Sequence, residues 1–311
     1  LISDDEVLVQ FGTRSYPSEL LRDSDLTGIL GRIIGRLLQG PAHLSELLSN
    51  LRGEDRSEAR TLIDDLRQGG ILTDDRYSPV EQYLRYTFSG ESRLSDRSVS
   101  LLGTGPVGAQ VAHSLLQHGL GRMTLLDDRN ADSLWYTFLP LGPEPGGDAG
   151  RSAHVILRDR LLAAGYSNVE SLDAQLDAAG VEMAVARSDF TVVTLEQPHL
   201  RLAHLVNRFC IRDRKPWMLA TINGNFGLIG PLFLPTHTAC YNDYRTLADA
   251  ATPSPEMARK HRQHILRRNA GSFFPGLPSY AEIVAAHASL AIVHFLLRDT
   301  SFALGRVLMI D

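Results

Sequence analysis

Gly103, Gly105 and Gly108, followed by Asp127, are the residues of this sequence whose types and spacing best suit chemistry. The stretch Ser98-Val-Ser-Leu-Leu-Gly103-Thr-Gly105-Pro-Val-Gly108 reads as a buried strand, a tight turn and a helix start. Gly103 permits the turn, Gly105 lets backbone approach a phosphate, and Gly108 lets the helix pack on the strand. The helix N-terminus can then hold an anion. Asp127 ends a second strand, Arg122–Leu126, where a carboxylate can reach a ribose hydroxyl. The pattern implies a Rossmann-like nucleotide fold. A competing reading keeps the glycines only to pack a sheet, with Asp127 capping nearby amides.

The elements that must position these residues alternate. From about residue 95, strands at Val99–Leu102, Thr124–Leu126, Phe190–Leu195 and Trp217–Thr221 are interleaved with helices at Val107–Gln117, Ala153–Ala164 and His199–Cys210. Such alternation implies a mostly parallel sheet with crossover helices. Short strands Phe226–Ile229 and Leu232–Leu234, helices Ser254–Arg267 and Tyr280–Leu297, and a strand Arg306–Ile310 follow. Residues 1–90 form a separate block. Extended segments Glu6–Phe11 and Ser15–Leu21 precede a helix with apolar residues at 26, 29, 30, 33, 34, 37 and 38, a 3.6 period. Helices His43–Leu51 and Arg56–Gln68 and a short wing strand, Ile71–Thr73, make this block a winged helix-turn-helix. The expected fold class is α/β: residues 91–311 a Rossmann-like parallel-sheet domain, preceded by the small winged-helix (α+β) domain of residues 1–90.

Composition bounds the function. With 311 residues, 43% apolar and 22% charged, the chain is long enough for two cores. A net charge of −5 gives no electrostatic case for nucleic acid or an anionic membrane. Cys210 and Cys240 are the only cysteines, so a disulfide framework is not expected and a reducing cytoplasm is. No apolar run is read as approaching a membrane span. The chain opens on Leu1, from which a start further upstream is expected.

The second block resembles the ThiF-like, ubiquitin-activating superfamily of adenylating enzymes. The resemblance rests on Gly103–Gly108, Asp127, the helix start at Gly150, the segment Asp189–Arg201, Gly230-Pro231-Leu-Phe-Leu-Pro235 and Thr238-Ala-Cys240. The first block resembles the leader-peptide recognition element of peptide-natural-product biosynthesis. Together they have the arrangement of the leader-binding partners of YcaO-type cyclodehydratases, which make azoline rings in ribosomal peptides, thiopeptides among them. The resemblance implies a leader-peptide-binding scaffold with a precursor peptide and a YcaO-type enzyme as partners, and a homodimer as the family habit. The alternative it leaves is a divergent ATP-dependent enzyme that adenylates a peptide carboxyl.

The sequence departs from the enzyme pattern where charge is needed. Family enzymes carry Ser-Asn-Leu-x-Arg-Gln after the ribose-binding acid; here Ser133-Leu134-Trp135-Tyr136-Thr137-Phe138 puts Thr137 at the Arg position. Ala153 falls where the phosphate-contacting Lys would be, with Arg151 nearby. Glu196 falls at the magnesium-binding Asp position, and Arg201 follows. Adenylyl transfer depends on positioning and charge neutralisation, so losing two cations argues against ATP and magnesium as working cofactors. Gly103, Gly105, Gly108, Asp127, Glu196 and Arg201 are then a vestigial nucleotide set, and no catalytic residue is assigned. The family's zinc site uses Cys-x-x-Cys pairs, and Cys240 has lost its pair. A set of His237, Cys240, His261 and His264 can be written down, but no metal is expected.

By resemblance, an extended leader adds to the strand before the first helix and drops side chains beside the third. That puts Arg14, Ser15, Tyr16, Pro17, Ser18 and Leu20 at the strand edge and Ser57, Arg60, Thr61 and Asp64 on the groove wall. Arg14 and Arg60 can pair with leader acids. Pro17 lacks an N–H and belongs at an edge. DNA reading by Arg56–Gln68 is disfavoured because its charges balance. Trp135, Tyr136 and Phe138 read as a cavity plug or interface. The apolar helix Ala286–Leu297, with His287 and His294, reads as core or a dimer seam.

Overall fold

A computed structural model gives the fold and describes residues 3, 5–10, 19–88, 93–130, 150–194, 200–224, 226–268 and 277–311. Two compact units emerge, Leu1–Ser89 and Gly90–Asp311.

In the first unit, β1 (Glu6–Val9) pairs antiparallel with β2 (Glu19–Arg22), so Val7 faces Leu21 and Leu8 faces Leu20. Helices α1 (Ile29–Leu37), α2 (Leu44–Leu47), α3 (Gly53–Gln68) and α4 (Pro79–Thr87) follow. The 3.6 period of α1 splits its apolar side chains between two clusters. Ile29 and Ile33 join Leu48, Leu51, Ala59 and Ile63, whereas Leu30 and Ile34 join Val7 and Leu66, with Leu21 and Leu62 packed against them. Gly28 caps α1 at φ +71°, and its amide donates to the Asp23 carboxylate at 2.7 Å.

The wing strand expected at Ile71–Thr73 is not formed. Gly70 turns the chain at φ +73°, and the amides of Ile71 and Leu72 both donate to the Leu66 carbonyl. The donors a strand would need are spent on ending α3. Helix α4 follows, opened by a capping box. Ser78 accepts from the Glu81 amide at 3.2 Å, and Glu81 accepts from the Ser78 amide at 2.9 Å. The Ser-Pro-x-Glu sequence that makes this cap is a helix-start signal, and the helix it opens is one more than the winged-helix pattern predicts.

The second unit is built on a seven-stranded sheet. In chain order it runs β3 (Ser98–Leu102), α5 (Pro106–Gln117), β4 (Arg122–Leu126), α6 (Ala153–Ala163), β5 (Val169–Ser171), α7 (Ala178–Ala186) and β6 (Phe190–Val193). Then come α8 (Leu200–Asp213), β7 (Trp217–Asn223), β8 (Phe226–Phe233), α9 (Tyr241–Ala250), α10 (Pro255–Arg268), α11 (Pro278–Arg298) and β9 (Leu308–Ile310). The strand order is β5-β4-β3-β6-β7-β8-β9. The first five are parallel, and β8 and β9 close the sheet antiparallel. This is the Rossmann-like, parallel-dominated α/β architecture expected from the sequence. Every residue of β3 is buried, as befits a strand covered on both faces. The two short strands expected around residue 230 are one strand, β8.

Helix α11 corrects one expectation. At 21 residues it is long and apolar enough to cross a membrane by length and composition, whereas no segment was read as reaching that length. Its Ala281, Val284, Ala288, Ile292 and Phe295 are buried, and it packs on α5 and β8. Its apolar character serves the core.

The α4 cap gives a stability test. Ser78→Ala should lower the unfolding free energy of the first unit by about 1 kcal/mol, read as a shift in the urea midpoint at unchanged slope.

Candidate functional site

In an open parallel sheet, ligands sit beyond the carboxyl ends of the strands where the order reverses. Here that point lies between β3 and its neighbours β4 and β6, and the glycine turn occupies it. Gly103 has φ +100°, and its amide donates to the Leu126 carbonyl at 2.9 Å. The Thr194 hydroxyl, at the end of β6, donates to the Gly103 carbonyl at 2.5 Å. A Cβ on Gly108 would meet that same carbonyl oxygen at 2.1 Å and Thr194 Oγ1 at 2.6 Å. Gly108 is therefore required by packing alone. Gly105 is the N-cap of α5, and Pro106 occupies the first turn. Lacking an N–H, Pro106 takes one donor away from any anion at this end.

Asp127 is fully buried, and its carboxylate is filled by its own chain. Oδ2 accepts from the Thr104 amide at 2.6 Å, the Thr104 hydroxyl at 3.0 Å and Arg129 Nη2 at 2.8 Å. Oδ1 accepts from the Arg129 amide and Nε, both at 3.0 Å. A carboxylate has about four lone-pair sites, so five donors saturate it. Burial pushes the Asp127 carboxyl up, but the Arg129 charge and the hydrogen bonds from Arg129 and Thr104 outweigh it and hold it below the usual carboxylate range. A ribose hydroxyl would have to displace the Arg129 guanidinium to reach this acid.

The described flanking residues Ala153 and Arg151 offer no free phosphate-binding cation through the bonds they make. Ala153, at the position of the family Lys, is buried and donates its amide to the Arg129 carbonyl at 2.9 Å. Arg151 pairs with Asp159 at 2.7 Å, and Asp159 also holds Arg158 at 2.6 Å. The His154 ring is buried and its Nδ1 meets no hydrogen-bond partner among the described residues. Burial holds its pKa below the ordinary histidine value, against the opposing pull of Asp127.

Arg201 lines a cleft of about 740 Å³ with Asp128, Asp177, His204 and Arg208. Positions 201, 204 and 208 share one exposed face of α8, at 3–4 spacing. His204 and Arg208 were not picked out from sequence; the signal was a helical repeat of basic residues. Glu196, Thr137 and the Trp135, Tyr136 and Phe138 cluster lie outside the described residues. His237 follows β8, Cys240 caps α9, and His261 and His264 are exposed on α10. Among the described residues no group of three or more His, Cys, Asp or Glu is placed to hold a metal. Cys210 is buried, which pushes its thiol up to about 12.

For the first unit, Arg14, Ser15, Tyr16, Pro17 and Ser18 lie outside the described residues. Leu20 is on β2, 41% exposed, opposite Leu8, 42% exposed. Ser57, Arg60, Thr61 and Asp64 are all exposed on one face of α3. The hairpin and α3 meet where Leu21 and Leu62 share a cluster, and Thr27 Oγ1 donates to Glu58 at 3.2 Å. The hairpin is a two-stranded sheet, so each strand keeps one ladder edge unpaired among the described residues, the geometry that strand addition needs.

No family model matches the chain, and no curated protein matches it. Solved structures do match. E. coli MccB with ATP aligns over 98% of this chain and 91% of its own, at 18% identity and a TM-score of 0.61. The microcin C7 biosynthetic enzyme MccB in complex with N-formylated MccA aligns over 98% and 91%, at 19% identity and 0.61. PaaA aligns over 99% and 96%, at 17% identity and 0.62. The chain thus has the fold of these proteins across both units.

Two outcomes follow. Asp127 has a depressed folded-state pKa, so its contribution to stability is present above the unfolded value near 3.9 and is lost as pH falls through the folded value. Asp127→Asn should therefore lose stability at neutral pH and flatten the acid limb of the stability–pH curve measured by urea melts. Gly108→Ala should destabilise the second unit by about 1–3 kcal/mol, because the clashing Gly103 carbonyl is backbone and cannot swing away.

Proposed function

We propose that this protein captures a ribosomally made precursor peptide through its first unit and presents it to a separate YcaO-type cyclodehydratase for azoline formation. On this reading it forms no adenylate itself and acts in the cytoplasm. One observation carries the second half of the proposal: the Asp127 carboxylate, which a nucleotide ribose would need, is saturated by Thr104 and Arg129. Pro106 at the helix start and Ala153 in place of a cation point the same way. The described residues do not fit a bound ATP.

The peptide half is supported by the likeness to MccB solved with MccA, which spans both units. A leader would extend the hairpin by main-chain hydrogen bonds, with Leu8 and Leu20 exposed on its outer face. Arg60 would meet leader acids on α3. The exposed pair of Arg60 and Asp64 on a nearly neutral face fits a peptide of mixed charge better than a duplex.

A second reading is an adenylating enzyme acting on a peptide carboxyl. The likeness to MccB solved with ATP, over 98% of the chain, favours it.

Calorimetry against a synthetic leader, with ATP–pyrophosphate exchange in parallel, separates the two. The expected result is micromolar or tighter leader binding, about tenfold weaker in Arg60→Glu, and no exchange. Exchange above background by the natural protein with a peptide substrate would put the enzyme reading first.

A further inference from the structure

Helix α10 is at odds with the rest of the chain. Its fourteen residues, Pro255–Arg268, include Arg259, Lys260, Arg262, Arg267 and Arg268 against the single acid Glu256, with His261 and His264 besides. The helix therefore carries +4 in a chain of net −5, and everything outside it sums to −9. None of its described side chains is buried; Ala258 and Arg262 are half-buried and the rest exposed. A fourteen-residue helix in water is marginal when it buries so little.

The inner side of α10 is accounted for. Arg262 and Arg245 both pair with Asp249 of α9, which ties the two helices together. The outer arc is not. Lys260 pairs with Glu256, at 2.9 Å with both side chains about two-thirds exposed, a bond worth little in water. Arg259, His261 and His264 make no hydrogen bond or ion pair with other described residues. Met257, 64% exposed, lies on the same outer arc, and Leu247 on α9 is 67% exposed. Cations interleaved with exposed apolar side chains offer both charge and anchorage.

We propose that the outer face of α10 docks a short acidic segment of the precursor peptide, separate from the leader groove of the first unit. This rests on the peptide-capture reading above. Charge decides the chemistry of the occupant. An anionic segment is repelled by the acidic remainder taken as a whole and drawn to α10, where five basic side chains stand against one acid. Length decides its size. Fourteen helical residues span about 21 Å, the reach of about six extended residues. A nucleic acid is a poorer fit, because a polyanion running past the ends of the helix would meet the acidic remainder.

The test is fluorescence anisotropy on the full chain, with a labelled peptide of six consecutive glutamates and a labelled single-stranded RNA of equal charge. Salt is set at about 50 mM and about 300 mM. The comparison variant is Lys260→Glu with His264→Glu; both sites are exposed, and circular dichroism checks that it folds. The glutamate peptide should bind the natural chain at low salt, weaken at high salt, and bind the variant at least about tenfold more weakly. Equal binding to variant and natural chain overturns the proposal, as does tighter binding of the RNA. A leader-only peptide, titrated in parallel, should bind both proteins alike. If the leader binds neither protein while the glutamate peptide still requires α10, acidic docking stands and leader capture by the first unit fails.

Discussion

The buried carboxylate of Asp127 is the constraint on which the second unit turns. A charge taken wholly out of water must be met by partners or neutralised, and at this crevice the partners come from the chain itself. Thr104 meets it from the glycine turn, and Arg129 from just past the end of β4. The same stretch receives the Ala153 amide at the start of α6. One ion pair thus fixes the exit of β3, the exit of β4 and the entry of α6 relative to one another. A ligand that used Asp127 would have to compete with donors already tethered two residues away, without their loss of translational freedom.

On the proposed reading, that arrangement is what lets a nucleotide-binding architecture stand without nucleotide chemistry. Catalysis of adenylyl transfer needs cations aimed at developing charge. The fold needs only that the sheet stay parallel, the turn stay tight and the carboxylate stay paired. Arg129 meets the last requirement internally. On that reading the working surfaces are the open hairpin edge and α3 face in the first unit and the α10 face in the second.

What the sequence made legible follows the same division. The glycine turn, the parallel core strands and the 3.6 period of α1 could be read because local pattern and burial agree there. Strand β5 has three residues, too few for a period. Helix α7 (Ala-Ala-Gly-Val-Glu-Met-Ala-Val-Ala) is apolar nearly all round, so it showed no polar face to mark it. The wing at 71–73 was misread because β-type side chains there serve the end of a helix, a matter of where two amides point. Arg129 passed unnoticed since a cation two residues after an acid has no motif; only the turn brings it back onto Asp127. His204 and Arg208 became visible once α8 was oriented toward its cleft.

Gly108 shows why the glycine motif is a weak witness to nucleotide binding. Its missing side chain is demanded by the Gly103 carbonyl and by Thr194, both of the protein itself. Gly103 is demanded by a left-handed turn, which side chains resist whatever lies beyond it. Two of the three glycines would therefore be kept in a chain that never met a phosphate. Evidence for nucleotide use has to come from the groups that do not help the fold: a free carboxylate, an open helix N-terminus, an unpaired cation near the turn. At the described positions Asp127 is filled, Pro106 occupies the helix start, and Ala153 stands where the cation would be. Each of these three departures removes an interaction with a ligand and leaves the packing intact.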